Sequence, residues 1–123
     1  MLLSILIPTH ERHMYLFPLL EYFVTLNLHK VELVIQDSTK NNRLILDKIA
    51  NLQNPNIKYF HDSSAKNIAQ NFENGLVNCI GEYICGIGDD DGFTPEIEGL
   101  ASYCKKNDIC SVNIKPKIHY LWP

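Results

Sequence analysis

Asp89, Asp90 and Asp91 stand in an unbroken row between Gly88 and Gly92, with Gly86 two residues before. Adjacent carboxylates repel one another unless a cation neutralises them. In an extended or turn backbone, Asp89 and Asp91 face one side and Asp90 the other. Two carboxylates with room for water suit Mg²⁺ or Mn²⁺, whose remaining positions are filled by phosphate oxygens. The flanking glycines permit unusual backbone angles and the close approach of a ligand. The bland alternative is a solvated acidic turn ahead of a helix.

Other polar residues have the same double reading. Asp37, followed by Ser38 and Thr39, can accept a hydrogen bond from a base N–H or a ribose hydroxyl, or can form an Asx turn. Pro8 and Thr9 close an apolar run, and the backbone and hydroxyl of Thr9 can meet a nucleoside. Next to them, Arg12 can reach a phosphate, while His10 and His13 read as solvated loop residues. In Lys66-Asn67-Ile68-Ala69-Gln70-Asn71, the two asparagines are four residues apart on a helix face. An amide there can steady a diphosphate or the acidic loop.

These residues need a frame. Leu2–Ile7 is an almost continuous apolar run, as in a strand buried on both faces. Glu32–Ile35, Ile57–Phe60, Tyr83–Ile87 and Asp108–Ile114 read as further strands. Between them, Met14–Leu28, Asn42–Leu52 and Ser64–Cys79 have helical spacing. Pro18 is expected in the first turn of the first helix, and Ser63 or Ser64 at the cap of the third. Thr94-Pro95-Glu96 reads as the start of a fourth, with Thr94 as its cap. Alternation of this kind predicts an α/β fold, a mainly parallel sheet with helices on both faces and right-handed crossovers. Ligands of such sheets bind beyond the carboxyl ends of the strands. Thr9, Asp37 and Asp89 to Asp91 all fall just past strand ends, on one edge of one sheet.

Composition narrows the function classes. The 123 residues, 46% apolar, suit one small domain. A net charge of −3 and a pI near 5.9, with scattered Lys and Arg, argue against nucleic acid as a partner. Cys79, Cys85, Cys104 and Cys110 form no CxxC, so a zinc site is not expected and the reading is reduced thiols in a cytoplasmic protein. No run is long enough to span a bilayer, and Met1–Ile7 lacks the basic start of a signal peptide. Peripheral association with the inner face of a membrane stays open, as does a homodimer that covers leftover apolar surface.

Ser4-Ile5-Leu6-Ile7-Pro8-Thr9, then Glu32-Leu33-Val34-Ile35-Gln36-Asp37-Ser38, then Gly81-Glu82-Tyr83-Ile84 running on to Asp89-Asp90-Asp91 resemble, in order and spacing, the family 2 glycosyltransferases of GT-A fold. The resemblance spans roughly Leu2 to Pro95. It implies a Rossmann-like GT-A domain over residues 1–123, a nucleotide-diphosphosugar donor, often a UDP-sugar, and a Mn²⁺ or Mg²⁺ ion. It also implies transfer, with inversion, to a hydroxyl of a glycan or lipid-linked acceptor in surface polysaccharide or glycan synthesis. By matching position, Pro8 and Thr9 lie beside the nucleoside and Asp37 bonds the base. Asp89 and Asp91 form the DxD pair contacting ribose and metal, with Asp90 between them in the nucleotide-sugar site. Asn71 matches the asparagine of the helix before the fourth strand.

Three positions depart from the family pattern: Glu11-Arg12 replaces asparagine-arginine, Gln36-Asp37-Ser38 replaces an acidic pair and glycine, and Gln70 replaces an arginine. Family members usually run well beyond this length and carry their acceptor site and general base there. The chain, ending at Tyr120-Leu121-Trp122-Pro123, is therefore expected to be the nucleotide-binding half, and no general base can be named in it. The rival expectation is a nucleotide-binding module without turnover. A nucleotidyltransferase would want a glycine-rich loop after strand one, and Thr9–His13 contains no glycine. A phospho-receiver domain would put its acidic cluster at strand one, which ends instead in Pro8-Thr9.

Overall fold

Two apolar strands at the centre of the chain's sheet explain most of its architecture. In this computed structural model, which describes residues 1–114, β1 (Leu3–Thr9) and β2 (Val31–Asp37) are buried at every position. They pair in parallel from Leu3↔Val31 to Thr9↔Asp37. β3 (Ile57–His61) adds beside β2 and β4 (Tyr83–Gly86) beside β1, both parallel, giving the order β3-β2-β1-β4. The chain thus builds outward from β1 in one direction, then returns to its other side. The strand order reverses at the β1/β4 boundary, where parallel sheets open a crevice.

The pleat sorts the side chains. Leu3, Ile5, Ile7, Val31, Leu33 and Ile35 join Leu16, Leu19, Leu20 and Phe23 of α1 (His13–Leu26), Ile45 of α2 (Arg43–Leu52) and Ala101 of α4 (Ile97–Lys106) in the main core. Each buried Leu, Ile, Val or Phe among them contributes about 1.5–3 kcal/mol by leaving water. The opposite face carries α3 (Ile68–Leu76), which packs on β1 and β2. Close approach there requires Gly75: a Cβ at that position would lie 2.5 Å from Leu6 Cδ1 and 3.0 Å from Gln36 Cβ.

Several boundaries differ from the sequence reading. Pro8 and Thr9 continue β1 rather than stopping it. Leu6 O accepts from Ile87 N, so even-numbered residues of β1 point toward β4, whose pairing ends at Leu6↔Gly86. Pro8, lacking a donor, therefore faces a side with no ladder to complete. Pro18 is the sixth residue of α1, beyond the first turn. α3 starts at Ile68, capped by Asn67, whose Oδ1 accepts from Gln70 N at 2.9 Å. Ser64 is instead held in an Asx turn by Asp62. Thr94-Pro95-Glu96 forms a turn ahead of α4, with Ile97 N donating to Thr94 O at 3.1 Å, and Glu96 takes the cap position.

The fifth strand expected over Asp108–Ile114 does not form. Asp108 adopts φ 51°, Ile109 N donates to Cys104 O at 2.9 Å, and the chain continues as irregular structure. Its apolar alternation is present, but a strand exists only through a partner's ladder, and among the described residues β4 pairs with β1 alone. The chain-end residues Tyr120 to Pro123, on which the half-domain expectation rested, lie outside the described residues. The cysteines are free, with Cys104 buried, Cys79 and Cys85 half-buried and Cys110 exposed. Among the described residues no helix is long and apolar enough to cross a membrane.

Candidate functional site: a crevice at the carboxyl ends of β1 and β4

The end of β1 and the loop after β4 are joined by one hydrogen bond. Thr9 Oγ1 donates to Asp89 Oδ2 at 2.7 Å, and both residues are buried. The other oxygen, Asp89 Oδ1, accepts from Arg12 Nε at 2.9 Å, while Arg12 Nη2 reaches Asp90 Oδ2 at 2.5 Å. Asp89, and then Asp90, hold the guanidinium more firmly protonated than usual. Its carbon stands 4.6 Å over the Tyr15 ring, a cation–π seat on the exposed flank of α1.

The rest of the acidic loop turns back on itself. Asp91 N donates to Gly88 O at 3.2 Å, and Gly88 N donates to Asp91 Oδ2 at 2.9 Å. Contrary to the expectation that Asp89 and Asp91 face one side and Asp90 the other, Asp89 and Asp90 share a partner in Arg12, while Asp91 folds toward Gly88 because its carboxylate closes the turn on the Gly88 N–H. The glycines provide space rather than strained angles, since no glycine has positive φ. A Cβ on Gly88 would lie 2.9 Å from Asp90 Oδ1 and 3.0 Å from Asp91 Oδ2. A Cβ on Gly92 would meet nothing within 4 Å beyond its chain neighbours.

Thr9, Arg12, Gly88, Asp89 and Asp90 line a crevice of about 330 Å³ with Pro8, His10, Ser38, Asn71 and the segment Ala65–Ile68 leading into α3, whereas Asp91 is not part of its wall. Asn71 Nδ2 donates to Thr9 O at 3.1 Å and to Gln36 O at 2.9 Å, which fixes the amide's orientation. Among the described residues its buried Oδ1 has no partner, an acceptor beside the crevice with no donor there. Gln70 does not enter the crevice: its Oε1 accepts from Lys66 N at 2.8 Å, completing the start of the helix. Lys66 lines the wall, a site residue that the sequence reading included only as part of a helix segment.

Asp37 is at the same rim, behind the crevice wall. It is fully buried, with Oδ1 accepting from Thr39 N at 2.8 Å and Oδ2 from Tyr59 OH at 2.6 Å. Burial, then that bond, push the Tyr59 hydroxyl's pKa well above its ordinary value. Tyr59 stacks on His61, whose Nε2 lies 2.7 Å from Thr39 O. Neither aromatic had been singled out in the sequence; only their two-residue spacing from one another and their place at the end of β3 point to them. His10 is exposed, in line with the reading of a solvated loop residue, and its Nδ1 also lies 3.0 Å from Ser38 O. Glu11 N donates to Thr39 Oγ1 at 2.8 Å, tying the β1 loop to the β2 loop. His13 is on α1, tilted against Phe17.

Among the described residues, no three His, Cys, Asp or Glu side chains gather as a metal cage. A cation shared with phosphate oxygens needs only one or two carboxylates, and the loop offers hard oxygen donors of that kind.

A parallel α/β sheet with polar residues converging where its strand order reverses is the arrangement in which open α/β folds bind their ligands. The chain belongs to glycosyl transferase family 2, whose family model matches residues 4–118. No curated protein matches it in sequence. Among solved structures, S. aureus TarS 1-349 superposes with a TM-score of 0.72 at 20% identity, over 88% of this chain and 33% of that one. The same protein in complex with UDP gives 0.68 at 20% identity, and in complex with UDP-GlcNAc 0.69 at 21% identity, covering 33% and 32% of those chains. The chain therefore spans about a third of the length of the structures it matches, and the likeness is one of GT-A fold.

Proposed function

We propose that the crevice binds a nucleotide-diphosphosugar, a UDP-sugar in the first instance, and that the chain is the donor-binding part of a metal-assisted, inverting glycosyltransferase. The observation that carries this reading is the Thr9–Asp89 hydrogen bond, which brings the ends of β1 and β4 into one polar wall. The family match and the superposition on a protein solved with UDP and UDP-GlcNAc support it.

Pro8 and Thr9 border the nucleoside. Asp37, braced by Tyr59 and Thr39, presents its rim to the base through Ser38, and reaches the base itself only if it exchanges one of those partners. Arg12 and Lys66 draw the diphosphate by charge, Lys66 from the start of α3. Asn71 Oδ1 takes a hydroxyl of the ligand. Asp89 would hold Mn²⁺ or Mg²⁺ with Asp90 beside it, and Asp91 would join as the second carboxylate only on releasing Gly88 N. Such an ion, when bound, stabilises charge on the departing diphosphate as a Lewis acid.

In the transfer, the acceptor oxygen forms a bond to the anomeric carbon as the bond to the diphosphate oxygen breaks. The electron pair leaves with the nucleoside diphosphate, and in-line attack inverts the centre. A base outside the residues assigned here takes the acceptor proton. The acceptor, a hydroxyl of a glycan or lipid-linked sugar in polysaccharide synthesis, belongs to the same proposal, as does a cytoplasmic setting at the inner face of a membrane.

The test is thermal unfolding. UDP with Mn²⁺ raises the midpoint, by linkage about 2.7 kcal/mol of stabilisation at a ligand concentration a hundred times Kd, and Asp91→Ala removes the gain. No shift with any nucleotide would overturn the reading. Binding without transfer or donor hydrolysis would favour a non-catalytic module.

A further inference from the structure

The acidic loop already holds a cation. Both oxygens of Asp89 are engaged, one by the Thr9 hydroxyl and one by Arg12 Nε, and Arg12 Nη2 takes Asp90 as well. Asp89 is buried, but the guanidinium that neutralises it is not: the Arg12 side chain is 45% exposed against 6% for that of Asp89. Among the described residues the two carboxylates are the side-chain partners of Arg12 on the β4 side, and its guanidinium already rests on the Tyr15 ring at 4.6 Å, so rotation of the side chain could free the carboxylates without moving the backbone. Its backbone stays fixed, since Arg12 O accepts from Tyr15 N at 3.0 Å in the first turn of α1.

We propose that Arg12 is a displaceable internal counter-ion that makes a divalent cation and a diphosphate bind this crevice as a linked pair. This rests on the nucleotide-binding reading above. A divalent ion arriving alone competes with the guanidinium for Asp89, and its gain is reduced by the pairing it breaks. A diphosphate arriving with the ion gives the released guanidinium a bidentate anionic partner. Each ligand therefore lowers the other's dissociation constant by the same factor. Lys66 does not perform this role. It lines the same crevice but forms no ion pair with the acidic loop, so it attracts phosphate without blocking the carboxylates.

The experiment measures Mn²⁺ affinity by the electron paramagnetic resonance signal of the free ion, with and without UDP, in the wild-type chain, Arg12→Gln and Arg12→Lys. In the wild type, UDP tightens Mn²⁺ by about tenfold or more, within the usual range of coupling. Arg12→Gln binds Mn²⁺ alone about tenfold more tightly than the wild type and shows less tightening by UDP. Arg12→Lys, whose ammonium engages one carboxylate at a time, falls between. Mn²⁺ affinity in Arg12→Gln equal to or weaker than wild type, without UDP, overturns the proposal while leaving the nucleotide site intact. Should the Gln variant not fold, a Lys variant no tighter than wild type for Mn²⁺ alone does the same. Absence of Mn²⁺ binding in every sample, UDP included, sinks the metal assignment and this inference with it.

Discussion

β1 and β2 carry a buried carboxylate cluster at each end, and the two clusters behave oppositely. At the amino end, Glu32 Oε1 accepts from Ser4 Oγ at 2.5 Å and from Ile80 N at 2.9 Å, while Gly81 N donates to Ser4 Oγ at 2.8 Å. Glu32 and Ser4 are wholly buried register partners, and each donor to Glu32 Oε1 is part of the fold, while Glu32 Oε2 is buried without a partner among the described residues. At the carboxyl end, Asp89 is also buried, yet its cation is a half-exposed arginine and its neighbour Asp90 has a side chain 51% exposed. A carboxylate with only internal partners fixes the α3–β4 connection. One whose partner can leave is available to a ligand. The contrast lies in the mobility of the counter-group, not in the burial of the acid.

The largest effect that tests this contrast is Gly81→Ala. The new Cβ would lie 2.4 Å from Ser4 N and 2.6 Å from Leu3 C, backbone atoms that cannot step aside. A loss of about 3 kcal/mol follows, roughly a 10 °C fall in midpoint for a chain of this size, yet the folded fraction still gains stability from UDP and Mn²⁺. Loss of the ligand shift in folded Gly81→Ala would mean that the two ends are one unit. Glu32→Ala comes next: it strands the Ile80 N–H and the Ser4 hydroxyl, at about 2 kcal/mol in chemical denaturation, again with ligand response retained. Asp89→Asn reverses the pattern. It keeps an oxygen for Thr9, costs about 1 kcal/mol, and abolishes the UDP–Mn²⁺ shift. An unaltered shift in Asp89→Asn would remove the crevice from the argument.

Much of the carboxyl end was legible in the sequence, because strand ends mark a rim without any knowledge of strand order. The apolar runs before Thr9, Asp37 and Asp89 place all three there, and the structure confirms that rim. The amino-end cluster was not legible. Ser4 and Glu32 look like single interruptions of apolar runs, and only the register Ser4↔Glu32 makes them a pair. The same holds for Arg12, 77 residues from its partner Asp89, and for Tyr59, which becomes the brace of Asp37 only once β3 pairs with β2. Local chemistry also misled at helix starts. Ser63 and Ser64 are good caps, but Asp62 claims Ser64, and Asn67 supplies the cap instead. The alternation over Asp108–Ile114 lacked a partner strand, which no local pattern reveals.

Tyr59 probes the carboxyl end from behind. Tyr59→Phe leaves the buried Asp37 Oδ2 without its donor, at about 1–2 kcal/mol. The alkaline limb of stability carries the same signature. Because the folded Tyr59 hydroxyl titrates above its unfolded value of about 10, the native state holds the proton longer. Its contribution is complete below pH 10 and is lost as pH climbs from there toward the folded pKa. Tyr59→Phe should flatten that limb in denaturant titrations at pH 9 to 11; an unchanged slope would show that the hydroxyl is not held by Asp37.

The smallest effect concerns the loop that carries Arg12. Glu11 adopts φ 54°, the left-handed region that costs a residue with a Cβ about 1 kcal/mol. Opposing that strain, Glu11 Oε1 accepts from Lys40 N at 2.9 Å, tying the loop to the end of β2. Asparagine tolerates the left-handed region far better but is one methylene shorter and forfeits most of that exposed bond. The two changes are of similar size, so Glu11→Asn should alter stability by no more than about 0.5 kcal/mol. Glu11 N still donates to Thr39 Oγ1 in the variant, so Arg12 keeps its launch point from α1 and Mn²⁺ affinity with UDP stays unchanged. A clear loss of Mn²⁺ affinity in Glu11→Asn, with stability intact, would show that loop strain, rather than the reach of the guanidinium, sets how readily Arg12 gives up the acidic loop.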